Sequence, residues 1–263
     1  MKFMKMQVLG AWILVLLLCQ SALAVPTFQV YIEGSTAGTW GDDEDTWFTT
    51  DSSFNLIVAG AYGPKTVSLT DVTLLVSVPK GETGTISISG GDGDPILLWE
   101  KKSTDGYFNP NADADINPLG AAHNTGYSDK LFLPQDLTLN NEHYPFQEGV
   151  SDFLLYGIGQ FDNNPDAVSN YSTEEGVEWN IADGEEKAFA VSVSGFTWAH
   201  FDAYGLETYE NKQKGSKNLK LPGTQWRISP GSHDATYIPA PGAVLLASVG
   251  LVFIGLLRRR GTL

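Results

Sequence analysis

Residues 189–194 read Phe-Ala-Val-Ser-Val-Ser, with Phe189, Val191 and Val193 on one face of an extended chain and Ala190, Ser192 and Ser194 on the other. A period of two marks a half-buried strand, because successive side chains point to opposite sides of a pleated backbone. The same alternation recurs in Thr85-Ile86-Ser87-Ile88-Ser89 and in Phe28, Val30 and Ile32. Residues 54–62 and 67–78 are richer in consecutive β-branched and apolar side chains, as strands buried on both faces are. Together with 153–161 and 196–204 these segments predict about eight to ten strands, a number that suits two packed sheets. No stretch between them sustains a helical period with caps. The chain reads as all-β: an antiparallel β-sandwich, jelly-roll-like.

The connectors are built from turn formers, as in Gly90-Gly91-Asp92-Gly93-Asp94-Pro95, Asp162-Asn163-Asn164-Pro165-Asp166 and Ala182-Asp183-Gly184-Glu185. The longest irregular stretch, 103–127, is dense in Asn, Asp and Gly. No repeat of fixed period and no long linker divides the middle of the chain, so residues 25–237 read as one domain.

Both ends carry targeting patterns. Lys2 and Lys5 precede an apolar run at 8–18, and Ala22-Leu23-Ala24 is a small-x-small cleavage site with the cut expected after Ala24. Cleavage there discards Cys19, the single cysteine, and leaves the exported part without disulfides or thiolate ligands. At the other end Ile238-Pro239-Ala240-Pro241 stands before an uncharged run that closes on Arg258-Arg259-Arg260. Residues 242–257 make about 24 Å of helix, a short span, and the arginines hold its far end in the cytoplasm. Pro239 and Pro241 keep the segment before the span extended. The tail is 238–263, and the signal peptide is 1–24.

These ends hold five of the 16 basic residues and none of the 31 acidic ones. The exported part therefore carries 11 basic against 31 acidic groups, a net charge of −20. That field repels nucleic acid and attracts cations.

The tail IPAPGAVLLASVGLVFIGLLRRR (238–260) resembles the PEP-CTERM sorting signal of Gram-negative bacteria in its relaxed Pro-Ala-Pro form, with Ala240 where the commonest form has Glu. Upstream, HYPFQEGVSDFLLYGIGQF (143–161), GEEKAFAVSVSGFTWAHFDAYG (184–205) and WRISPGSHDATY (226–237) are similar to the body of the choice-of-anchor N group of surface proteins. The resemblance implies export and an inner-membrane intermediate held by the tail. It further implies recognition of that tail by an exosortase-type membrane protease and delivery to the cell surface or exopolysaccharide. It implies no catalytic activity. Leu221-Pro222-Gly223-Thr224-Gln225 is one letter from a Gram-positive sortase motif, but Gln225 replaces the glycine at the cut and the stretch reads as a turn leading into a strand.

Candidate chemistry is sparse. Asn109, Asn111, Asp113 and Asp115 alternate, so their oxygens converge on one hard cation if the loop is extended. Calcium binding and plain turn chemistry both account for them, as they do for Asp92 with Asp94 and for the acidic run at 42–45. His200 and Asp202 share one face of a strand, and His233 adjoins Asp234, but neighbouring spacing supplies no third ligand for a catalytic zinc. His123 and His143 sit in separate loops, and hydrogen bonding within sheet edges accounts for all of these groups. No G-x-S-x-G elbow is present, and a glycosidase pair is a matter of distance in space. Trp40, Trp47, Trp99, Trp179, Trp198 and Trp226 remain after processing, and exposed ones could stack on sugar rings. The expected function is therefore a non-enzymatic surface or matrix protein of the envelope, exopolysaccharide or biofilm, with polysaccharide binding as the alternative and a secreted glycan hydrolase behind both.

Overall fold

The alternating segment at 189–194 ends a 19-residue strand, and in the computed structural model its pattern is followed side chain by side chain: Phe189, Val191 and Val193 are buried, while Ala190, Ser192 and Ser194 are exposed. The structure describes residues 25–41, 44–91, 93–102, 106–108, 143–147, 149–212 and 220–240. In chain order its strands are β1 (Phe28–Ile32), β2 (Thr36–Trp40), β3 (Glu44–Thr49), β4 (Ser53–Ala61), β5 (Thr66–Pro79), β6 (Thr85–Gly90) and β7 (Ile96–Lys102). There follow β8 (Gly106–Phe108), β9 (Ser151–Phe161), β10 (Asn164–Ser172), β11 (Gly176–Ser194), β12 (Ala199–Lys212), β13 (Lys220–Ile228) and β14 (Ala235–Tyr237). Two 3₁₀ turns interrupt them, η1 (Tyr144–Phe146) and η2 (Gly231–His233). Most of the strands beyond the expected eight to ten are short or weakly alternating, which hides them from a period-two reading.

Five strands form one sheet in the order β1-β4-β11-β10, with β6 also paired to β11. Nine form the other in the order β2-β3-β14-β12-β5-β9-β7-β8, with β13 also on β12. The pairings are antiparallel apart from β14 against β3. Phe28, Val30 and Ile32 from the first sheet and Leu74, Val76 and Phe201 from the second belong to one continuous core. Edge-to-face rings tie the layers, Phe54 against Phe201 at 5.7 Å and Phe28 against Phe161 at 6.4 Å. Each apolar side chain fully withdrawn from water there contributes about 1.5–3 kcal/mol. The fold is all-β and sandwich-like.

Two local expectations change. Ala182-Asp183-Gly184-Glu185 is not a turn between strands but lies inside β11. Gly184 has φ +144, and there β11 passes from its pairing with β10 to its pairing with β4. A Cβ at Gly184 would strike the Gly60 carbonyl, so a residue that reads as a turn former serves a bend within a strand. Leu221-Pro222-Gly223-Thr224-Gln225 likewise lies inside β13, which among the described residues pairs with β12 alone and so tolerates a proline that cannot donate.

Among the described residues no helix is long and apolar enough to cross a membrane. The expected signal peptide with Ala22 and Ala24, the expected span 242–257, Pro241 and Arg258, Arg259 and Arg260 lie outside the described residues, as do Asn109, Asn111, Asp113 and Asp115. Pro239 and Ala240 are described and have no regular structure.

The edge strand β13 is fastened to the sheet partly through Glu207 of β12. Thr66 Oγ1 donates to Glu207 Oε1 at 2.6 Å, while Gln225 Nε2 and Arg227 Nε donate to Oε2 at 2.7 and 3.0 Å. Burial alone raises this carboxyl's pKa, but those donors outweigh it and hold it below the usual value. A depressed folded-state pKa gives stability that is present above the unfolded pKa and is lost as pH falls through the folded one. Glu207→Gln is expected to cost about 1–3 kcal/mol at pH 7. In urea titrations at several pH values the gap to the wild type should close below about pH 4.

Candidate metal centre

Strand β12 has a second face. Phe201 and Ala203 point into the core between the sheets, so His200 and Asp202, one residue out of phase, project from the opposite face of the nine-stranded sheet. That face is also closed: His200 is 0 % and Asp202 1 % exposed. Sequence spacing anticipates this pair. It does not anticipate the two groups that meet it, His143 and Asp234, which are 5 % and 1 % exposed.

His143 immediately precedes η1, where the Phe146 amide donates to its carbonyl at 2.9 Å and the Phe146 ring packs against its imidazole. Asp234 lies between η2 and β14, and its carbonyl accepts from the Trp47 amide at 3.2 Å. The cluster thus joins a turn, a central strand and the segment that closes the domain. One nitrogen or oxygen from each of the four residues lies within 4.8 Å of the others.

His143 Nε2 and His200 Nε2 stand 3.1 Å apart. His200 Nε2 is 3.3 Å from Asp202 Oδ2 and 3.5 Å from Asp234 Oδ2. His143 Nε2 is 3.5 Å from Asp202 Oδ1 and 3.7 Å from Asp234 Oδ2. Behind this inner set, His200 Nδ1 lies 2.8 Å from Thr236 Oγ1, which meets Thr46 Oγ1 at 3.0 Å. Ser229 Oγ donates to Asp202 Oδ1 at 3.3 Å. Asp202 Oδ2 has no hydrogen-bond donor and is turned toward the imidazoles. Burial by itself pushes the Asp202 carboxyl up, but the imidazoles of His200 and His143 outweigh it and hold it well below the carboxylate range. An aromatic lid lies over the group: the Trp40 ring stacks on His200 at 5.1 Å and meets Trp198 and Tyr144 edge-on at 5.0 and 4.9 Å.

His233 and Asp234, adjacent in sequence, turn to different partners, and His233 is held by hydrogen bonds, as expected from the sequence. His233 turns the other way, with Nε2 2.9 Å from Asn170 Oδ1 and Nδ1 2.8 Å from Ser232 Oγ. Burial lowers its pKa to about 4, so it is a neutral, hydrogen-bonded core histidine. His123 lies outside the described residues. Among the tryptophans, Trp47 is buried and donates to the Tyr171 carbonyl at 2.8 Å, whereas Trp179 is 62 % exposed.

No family model matches the chain, and neither a curated protein nor a solved structure aligns with it significantly.

The Thr236 hydroxyl links His200 on β12 to Thr46 on β3, both in a dry interior. Thr236→Val keeps the shape and removes the bridge, leaving the Thr46 hydroxyl and a ring nitrogen to be buried without it. Chemical denaturation is expected to show a loss of about 1–3 kcal/mol.

Proposed function

We propose that this is an exported surface or matrix protein, sorted through its C-terminal tail by an exosortase-type enzyme. Its role is architectural, in the envelope, exopolysaccharide or biofilm, rather than catalytic. The supporting observation is the place where the body ends. Strand β14 is held between β12 and β3, and the Ile238 amide donates to the Thr49 carbonyl at 2.9 Å. The next residues, Pro239 and the exposed Ala240, belong to the sorting motif. Body and tail therefore meet without a linker, so Pro239 and Ala240 leave a fixed strand without regular structure, with Ala240 exposed. A jelly-roll-like sandwich of net charge −20 suits this role, since many cell-surface domains are sandwiches and like charge keeps them soluble.

One observation favours a second reading, polysaccharide binding. Trp179 stands 62 % exposed on β11, with Ile181 45 % exposed nearby, and an exposed indole is a surface of the kind that stacks on sugar rings. A glycan array probed with the mature protein, with and without chelator, is expected to lose signal in Trp179→Ala if this reading holds, and silence of the wild type in both conditions removes it.

The sorting reading is tested by the mass of the mature protein from a Gram-negative host that possesses the processing enzyme. The expected mass lacks residues 1–24 and the tail beyond the Pro-Ala-Pro segment. Full-length protein in the cytoplasm, with its signal attached, overturns it. Replacing Arg258, Arg259 and Arg260 with neutral residues is expected to abolish processing, because nothing then holds the span in the inner membrane.

A further inference from the structure

We infer that His143, His200, Asp202 and Asp234 hold one zinc ion, and that this ion is structural: it fastens the η1 turn and the C-terminal strand to the centre of the nine-stranded sheet. The inference stands apart from the sorting reading and uses none of the tail.

Distance is the first ground. Four donors bound at about 2.0–2.1 Å to a common tetrahedral centre stand about 3.3–3.4 Å from one another. Among His143 Nε2, His200 Nε2, Asp202 Oδ2 and Asp234 Oδ2, four of the six separations are 3.1, 3.3, 3.5 and 3.7 Å. Apart from the 3.1 Å pair they are longer than good hydrogen bonds, whose N–H···O distances centre near about 2.9–3.0 Å, and together they bracket the edge of such a tetrahedron.

Charge is the second. With the Nε2 atoms 3.1 Å apart, only one of them can carry a proton toward the other. Without an ion the group then holds two carboxylates and at most one imidazolium, a net negative charge in an interior that is 5 % exposed or less, unless a carboxyl takes up a proton there. A divalent cation with two neutral imidazoles and two carboxylates sums to zero.

The surrounding contacts supply the third. A histidine that ligates through Nε2 engages a neighbour through Nδ1, and the Thr236 hydroxyl 2.8 Å from His200 Nδ1 fills that place. Ser229 holds Asp202 Oδ1 in the same way, leaving Oδ2 turned inward.

Ligand chemistry selects the ion. Two imidazoles disfavour calcium and magnesium, which take oxygen donors, whereas an N₂O₂ tetrahedron suits zinc. Among the described residues all four donors are buried and Trp40 stacks over His200, so none of the donors faces solvent, as in a closed site. Closed four-coordinate sites of this kind add to folding stability and do no chemistry. His143 and His200 lie 57 residues apart, and Asp234 lies a further 34 along the chain from His200, so the ion closes two long loops in a chain whose one cysteine is Cys19.

The test uses purified mature protein prepared without chelator. Elemental analysis is expected to give about one zinc per chain. Strong chelator should lower the melting temperature, zinc alone should restore it, and calcium or magnesium should not. Cobalt(II) in place of zinc should show the visible bands of a tetrahedral ion and quench Trp40. Asp234→Asn and His143→Gln should each bring zinc content close to zero, whereas His233→Gln should keep it near one. Should Asp234→Asn fail to fold, the cobalt spectrum and chelator response of the wild type still decide. A folded wild type that takes up no zinc, a melting temperature indifferent to chelator, or full zinc content in both ligand variants would each overturn the inference.

Discussion

Alternation along β12 sends Phe201 and Ala203 into the contact between the sheets and His200 and Asp202 out of the other side, so a single strand must be covered twice. The apolar side is satisfied by the five-stranded sheet. The polar side cannot be left to apolar cover, because ionisable groups in a dry interior need partners. Among the described residues its partners include His143 beside η1, Asp234 before β14, Thr236 within β14 and Ser229 before η2. Much of the outer layer is therefore positioned by what β12 buries. The handover of β12 from β14 to β13 along one edge leaves a gap at Asp202, and Ser229 fills it, its hydroxyl donating to Asp202 and accepting from the Ala203 amide.

The sandwich was legible because alternation is a local property. Phe189, Val191 and Val193 need no knowledge of their partners to announce a buried face, and the consecutive apolar residues at 67–78 announce a central strand just as locally. Gly184 was misread for the same reason: a glycine beside aspartate looks identical in a turn and in a bend where one strand changes partners. The cluster was half legible. His200 and Asp202 are two residues apart, so spacing put them on one face; His143 and Asp234 are brought in by topology, which spacing does not encode. One weak signal was present, since three of the four histidines lie in or beside segments that the fold buries. The adjacency of His233 to Asp234 carried no information, because neighbours outside regular strands need not share a face.

The site also bears on the role of the protein. Strand β14 is three residues long, and it is the last element before Pro239 and Ala240. A strand that short contributes few ladder bonds. If the tail tethers the body to a membrane or a matrix, any pull reaches the body through β14. Asp234 at its start and Thr236 within it give this strand attachments that do not depend on its length. The aromatic lid of Trp40, Trp198 and Tyr144 keeps those attachments dry, where electrostatic bonds are stronger than in water.

The central claim is that the buried His–Asp cluster, with its ion, holds the terminal strand in place. Amide hydrogen exchange at Ala235, Thr236 and Tyr237, compared between zinc-loaded and chelated protein, tests it most directly. The account predicts that removing zinc collapses protection across β14 and η1 while the core pairing of β4 with β11 stays protected. Equal protection of β14 in the two states would contradict it.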